Sequence, residues 1–135
     1  MIWTWASFAD KTPRILRKTF AYDAAANRNK REREQRAADQ VFGMLPKGQG
    51  GELRALWEEF EQEQTPDAMF AAALDRFQPL FANYHTDGHT WKEGRVTEAQ
   101  VYKRMAIIKE GCPGIWESVD RIIKNAIEKG QIIPS

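Results

Sequence analysis

At 135 residues, with a formal net charge of +1 and a single cysteine, the chain is sized for one domain and has no internal disulfide. The near-neutral charge argues for neither nucleic acid nor membrane as partner of the whole chain. No apolar run approaches the roughly 20 residues of a membrane span. With one free thiol and a start, MIWTWASF, lacking a basic leader and a cleavage site, the sequence reads as a soluble cytoplasmic protein.

In chain order, Ile2, Trp3, Trp5 and Phe8 crowd apolar area into the first residues without a clear period. Leaving large side chains like these in water costs about 1.5–3 kcal/mol each, so they are expected to plug a groove on this domain or on a partner subunit. Residues 11–36 are basic: Lys11, Arg14, Arg17, Lys18, Arg28, Lys30, Arg31, Arg33 and Arg36 face only Asp23, Glu32 and Glu34. This segment reads either as an arm that binds nucleic acid or as a solvated helix start laced with Glu/Arg pairs, and the second is favoured. From about Asn29 the pattern is helical, with Ala37, Ala38, Val41, Phe42 and Leu45 on one side, and Pro46 with Gly48, Gly50 and Gly51 is expected to end it. Glu52–Gln64 then places Leu53, Leu56, Trp57 and Phe60 on one stripe. Glu58, Glu59, Glu61 and Glu63 crowd its polar side, where they could complement the basic segment.

The stretch Thr65–Tyr84 organises the rest. Thr65, Pro66 and Asp67 are helix-start residues: a hydroxyl for orphan amides, a ring suited to the first helical position, and a negative charge at the positive end of the dipole. Phe70, Ala73, Leu74, Phe77, Leu80, Phe81 and Tyr84 recur at three and four as a bulky stripe, while Ala68, Ala71, Ala72 and Asp75 form a small-residue face opposite. A helix of this kind is expected to be packed on both sides. Pro79 offers no amide hydrogen to the carbonyl of Asp75, so a lone acid beside a freed carbonyl is a candidate ligand position.

Both histidines lie in the following loop, NYHTDGHTWKEGR. His85, Asp87 and His89 are of metal-ligating types, but Gly88 and the short spacing give no preformed face, and Trp91 is read as pinning the loop to the core. Thr97 with Gln100 reads as a capping box for a helix whose Val101, Met105 and Ile108 face inward. Gly111, Cys112, Pro113 and Gly114 break that helix, with Cys112 read as a structural thiol. A final amphipathic helix carries Ile115, Val119, Ile122, Ile123, Ala126 and Ile127 and is capped near Gly130. The last two helices have the outline of a helix-turn-helix. The outer face of the second, with Glu117, Ser118, Asp120, Arg121, Lys124 and Asn125, is insufficiently basic for reading DNA.

The runs KTFAYD (18–23), NKREREQRAADQVFGMLP (29–46), LRALWEEFEQEQTPDAMFAAALDRFQPLFANY (53–84), GRVTEAQV (94–101) and EGCPGIWESV (110–119), in this order and spacing, resemble the C-terminal part of HD-domain hydrolases. The similarity is to the small all-helical branch that includes the 5′-deoxynucleotidases. The resemblance implies an all-α, compact bundle of about five helices and metal-dependent hydrolysis of phosphate esters, typically of nucleoside monophosphates. It implies a divalent metal (Mn, Co or Mg) held by a His, an adjacent His-Asp pair and a later Asp, and the run Leu74-Asp75-Arg76 places the later Asp at Asp75.

The chain contains no His-Asp dipeptide and no histidine before His85. One carboxylate does not hold a hydrolytic metal, so no cofactor is expected here unless the site is rebuilt from Asp75, His85 and His89. The expectation is therefore one helical domain over 1–135, atypical over 1–17 and family-like over 18–135. In this reading it is a truncated relative without the inherited activity, completed by a homodimer with or without exchanged segments. The alternatives are an active phosphohydrolase on nucleoside monophosphates and nucleic-acid binding through residues 11–36.

Overall fold

The computed structural model describes residues 30–135, and every regular element among them is helical. The only pairing of strand type among the described residues is an isolated parallel bridge between Thr97 and Ile133. Ile2, Trp3, Trp5, Phe8 and the basic residues before Lys30 lie outside the described residues. The elements are α1 (Lys30–Gly43), α2 (Lys47–Gln62), α3 (Pro66–His85), α4 (His89–Glu93), α5 (Glu98–Met105), α6 (Ile107–Gly111), a 3-10 turn (Pro113–Ile115) and α7 (Trp116–Glu128). There are more pieces than the sequence suggested because the loop after α3 contains α4, and the helix expected to follow Thr97 is interrupted at Ala106. Among the described residues, no helix is long and apolar enough to cross a membrane. The chain divides into two compact units, Met1–Glu58 and Glu59–Ser135.

In the first unit, α1 is laced by the pairs Lys30–Glu34 at 3.4 Å and Glu32–Arg36 at 3.8 Å, as expected for a solvated helix start. Gly48, Gly50 and Gly51 do not separate two helices; they lie within α2, which begins at Lys47. The reason is close approach. A Cβ added at Gly50 would stand 2.4 Å from the backbone oxygen of Phe42, so only glycine lets α2 start this tightly against the end of α1. Arg54 of α2 donates to Asp39 of α1 and to Glu58, and Phe42 lies against Trp57 with ring centroids 6.3 Å apart.

In the second unit α3 begins as its sequence implies. Thr65 caps it by accepting from the Ala68 amide at 3.2 Å, Pro66 occupies the first turn, and the helix continues through Pro79 to His85. Its buried residues are Ala68, Ala72, Ala73 and Leu80, whereas Phe70, Leu74 and Phe81 are 49, 46 and 49% exposed. The expected two-sided packing is therefore corrected: the buried side takes Ala68 and Ala72 from the small-residue face and Ala73 and Leu80 from the bulky stripe, while Ala71, Phe70, Leu74 and Phe81 are exposed. Backbone proximity explains the preference. The most extensive packing of α3 among the described elements is with α6, whose Gly111 lies directly over the Met69 carbonyl. Small side chains are needed for a helix pair to approach this closely, since protein interiors have no slack to absorb extra methylenes.

The rest of the unit follows local rules. Thr97 and Gln100 form the capping box at the start of α5: the Gln100 amide donates to Thr97 Oγ1 at 3.4 Å, and the Thr97 amide donates to Gln100 Oε1 at 2.9 Å. Val101, Met105 and Ile108 are buried, as are Val119, Ile123 and Ala126 of α7. Gly130 (φ 68°) ends α7 in left-handed backbone, with the Gly130 amide bonded to the Ile127 carbonyl and the Gln131 amide to that of Ala126. This is the paired closure that satisfies the last carbonyls of a helix. The chain then turns back: the Ile133 amide donates to the Val96 carbonyl at 3.0 Å and the Glu98 amide to the Ile133 carbonyl at 2.8 Å. Between α5 and α7, Tyr102 donates to Asp120 at 2.7 Å and Lys124 pairs with the same carboxylate at 2.7 Å. Burial, and then the adjacent Asp120 carboxylate, push the Tyr102 phenol up to about 12.

Candidate functional site

Asp75 lies on α3 at the boundary between the buried alanines and the open side of the helix, with its side chain 24% exposed. Its neighbour in sequence, Arg76, reaches back so that Nη1 donates to Asp75 Oδ2 at 2.7 Å. The other arm of the same guanidinium, Nη2, donates to Glu63 Oε1 at 2.8 Å. The site is thus one planar cation held between two carboxylates, an arrangement that suits the fork of arginine better than the point charge of lysine. Glu63 stands just past α2 in left-handed backbone, φ 50°.

The two histidines belong elsewhere. His85 closes the C-terminal end of α3, and from Asp75 to His85 the helix climbs about 15 Å. The His85 ring packs on Phe81 at 4.3 Å and edge-on to Tyr84 at 5.3 Å. The Tyr84 phenol is held below its ordinary range by hydrogen bonds from Asn125 and then Lys129. His89 opens α4 with its side chain 80% exposed, 3.8 Å from Glu93. Asp87 is exposed in left-handed backbone (φ 58°), and Trp91 beyond it is 1% exposed. The loop is anchored by Trp91 rather than shaped around its imidazoles.

Asp75, His85 and His89 are therefore not brought together. Among the described residues, no three His, Cys, Asp or Glu side chains converge to hold a metal ion. A hydrolytic divalent ion requires several ligands plus an open position for water, and Asp75 with its guanidinium partner does not provide that donor set. Cys112 is free and half-buried at the end of α6.

Two members of the cluster escaped the sequence reading. Arg76 adjoins Asp75 in the run Leu74-Asp75-Arg76, so adjacency was its signal. In the sequence Glu63 groups with Glu58, Glu59 and Glu61 as a complement to the basic segment. The structure gives Glu63 to Arg76 and Glu58 to Arg54, while Glu59 accepts from the Thr65 hydroxyl at 2.6 Å. The charges on the outer face of α7 are also met nearby, Glu117 by Arg121 at 3.6 Å and Asp120 by Lys124.

Comparison with known proteins places this geometry in context. A family model described as HD domain matches residues 15–116. The chain is 29% identical over 76 residues to 5′-deoxynucleotidase HDDC2 of Danio rerio, covering 56% of this chain and 38% of that protein. It is similar to a crystal structure of a predicted metal-dependent phosphohydrolase from Magnetospirillum magnetotacticum MS-1, with a TM-score of 0.81 and 42% identity. That match covers 87% of this chain and 58% of the solved one. The chain thus spans less than two thirds of the length of either relative.

Proposed function

Because the chain belongs to the HD-domain family, we propose that on its own it is a helical module of a metal-dependent phosphohydrolase lineage that works by self-association rather than by hydrolysis. The observation that carries this reading is the engagement of Asp75. The acid that the family resemblance assigns to the metal is bonded instead to Arg76, and the described histidines lie away from it. The apolar face supports the second half of the reading. Phe70, Leu74 and Phe81 lie on one side of α3 and are about half exposed. A contiguous apolar surface on a helix is the ordinary material of a protein–protein contact, and two copies meeting through the same face give a two-fold dimer, with or without exchanged segments.

Phosphate release from nucleoside monophosphates, in the presence of Mn²⁺ or Co²⁺, tests the first half. The wild type and Asp75→Asn are expected to release phosphate at the same background rate. Saturable turnover that Asp75→Asn abolishes would overturn it. Sedimentation equilibrium tests the second half: the wild type is expected to sediment as a dimer, and Phe70→Glu with Phe81→Glu as a monomer. A wild-type monomer at all concentrations would remove self-association.

An active phosphohydrolase is the second reading. It is favoured by 42% identity to the structure described as a predicted metal-dependent phosphohydrolase and by the similarity to a 5′-deoxynucleotidase. Under that reading Asp75 would be one ligand of a divalent ion that acts as Lewis acid and activates water. The remaining ligands would have to come from outside the described residues.

A further inference from the structure

Gln131, on the segment that returns after α7, is only 3% exposed. Its Oε1 is enclosed and, among the described residues, is the one buried side-chain oxygen or nitrogen with no hydrogen-bond partner in the protein. Buried polar groups are ordinarily paired, and an unpaired one opposes the packing that encloses it. The side chain is held there by close approach to the loop before α4. A Cβ added at Gly88 would stand 2.6, 2.9 and 3.2 Å from the Gln131 Cβ, Cγ and Cδ. Beyond Gln131 the attachments are few. Ile132 is buried, the Ile133 amide and carbonyl bond the Val96 carbonyl and the Glu98 amide, and the Ser135 hydroxyl accepts from the Ala99 amide. Gly130, just before the segment, has φ 68° and nothing within 4 Å of a Cβ. It is a turn with room to move. The groups beneath do not depend on the segment: the Val96 amide bonds the Trp91 carbonyl at 2.9 Å and the Val101 amide that of Thr97 at 3.1 Å.

We propose that residues 131–135 are a strap that opens and closes over residues 96–99 while the helices beneath stay folded, and that Gln131 sets how readily it opens. Closing the strap buries Ile132 and makes the bonds to Val96, Glu98 and Ala99, but it also carries the Gln131 carboxamide oxygen to a place without a partner. Opening returns that oxygen to water. The two effects oppose each other within one short segment, so its free energy of opening lies at the low end of those in the domain. Gly130 is the hinge. An open strap uncovers Val96, which is fully buried when it is closed, together with the first two amides of α5. A strap built only for stability would carry an apolar side chain at 131, where the surroundings give a polar one nothing to bond.

The test is amide hydrogen exchange of the full chain, resolved by residue with NMR, for wild type, Gln131→Met and Gln131→Glu. In wild type the Glu98, Ala99 and Ile133 amides are expected to exchange together, at least about tenfold faster than those of Val96 and Val101 once intrinsic rates are removed. Gln131→Met keeps the length of the side chain without the orphan oxygen. It is expected to slow the three amides about tenfold, the scale of one unpaired buried polar group, and to leave Val101 unchanged. Gln131→Glu keeps the shape and adds a charge, so at neutral pH it should speed the same three amides with Val101 again unchanged. This variant carries the test if Gln131→Met does not fold. Exchange of the three at the rate of Val96 and Val101 would show that no strap opens separately. Unchanged or faster exchange in Gln131→Met would overturn the role of Gln131, the result expected if a bound water already satisfies its oxygen.

Discussion

Gly111→Ala is expected to lower the thermal midpoint by more than about 10 °C, from a loss of about 3 kcal/mol in a chain of this size. The added Cβ would stand 2.1 Å from the Met69 carbonyl oxygen, 2.5 Å from its carbon and 3.1 Å from the Phe70 nitrogen. All three atoms are backbone, so no rotamer change relieves the clash and α3 must move away from α6. That movement would loosen Ala72, Ala73 and Ile108, each fully buried. Scanning calorimetry measures the effect, with Gly114→Ala as its control, because nothing lies within 4 Å of a Cβ there. Equal midpoints for the two variants would show that α3 and α6 are not this close.

Trp91→Ala is expected to cost about 3–5 kcal/mol, the usual range for deleting a large buried aromatic. Trp91 is 1% exposed on the short helix α4, its carbonyl accepts from the Val96 amide at 2.9 Å, and Val96 is itself fully buried. Removing the indole leaves a cavity under a segment too short to hold itself helical. Urea unfolding measures the loss, and Trp91→Phe should recover more than half of it by refilling most of the volume. A midpoint unchanged in Trp91→Ala would mean that the loop is held by its backbone alone.

Much of the helical frame was legible because its signals are local. Thr65 and Pro66 announce the start of α3, Thr97 and Gln100 that of α5, and Gly130 the end of α7; each acts on backbone groups within a turn of itself. The inward residues of α5, α6 and α7 were legible for a related reason, since a helix with one apolar stripe has one way to bury it. On α3 that logic failed. Two apolar faces compete there, and periodicity cannot say which one a neighbour will approach. Gly111, far along the chain, brings α6 against the Met69 carbonyl, and the side buried there draws Ala68 and Ala72 from one face and Ala73 and Leu80 from the other. The glycines of α2 misled in the same way: as a cluster they resemble a linker, while the contact that requires Gly50 comes from Phe42 of the preceding helix.

At the candidate site, Asp75 was legible as a solitary acid at the edge of an alanine face. Its partnership was not, because the bond from Arg76 to Glu63 depends on how the chain turns between α2 and α3. Sequence adjacency gave one half of the cluster and the turn gave the other. The histidines showed the opposite error. Their spacing in the sequence is short, yet one terminates a long helix and the other opens a new one beyond a left-handed turn.

The returning tail has a consequence for the order in which the second unit can form. At the start of α5, the Glu98 amide is satisfied by the Ile133 carbonyl and the Ala99 amide by Ser135 Oγ at 3.0 Å. Donors at a helix start have no intrahelical partner, so these two wait for groups made much later in synthesis. Until Ile133 and Ser135 have left the ribosome, the nascent α5 is a helix without its full set of caps, and Ile132 has not yet reached its buried position. Closure of this unit therefore waits for Ile133 and Ser135, made about 35 residues after the helix start they complete, and the earlier helices must stay soluble until then.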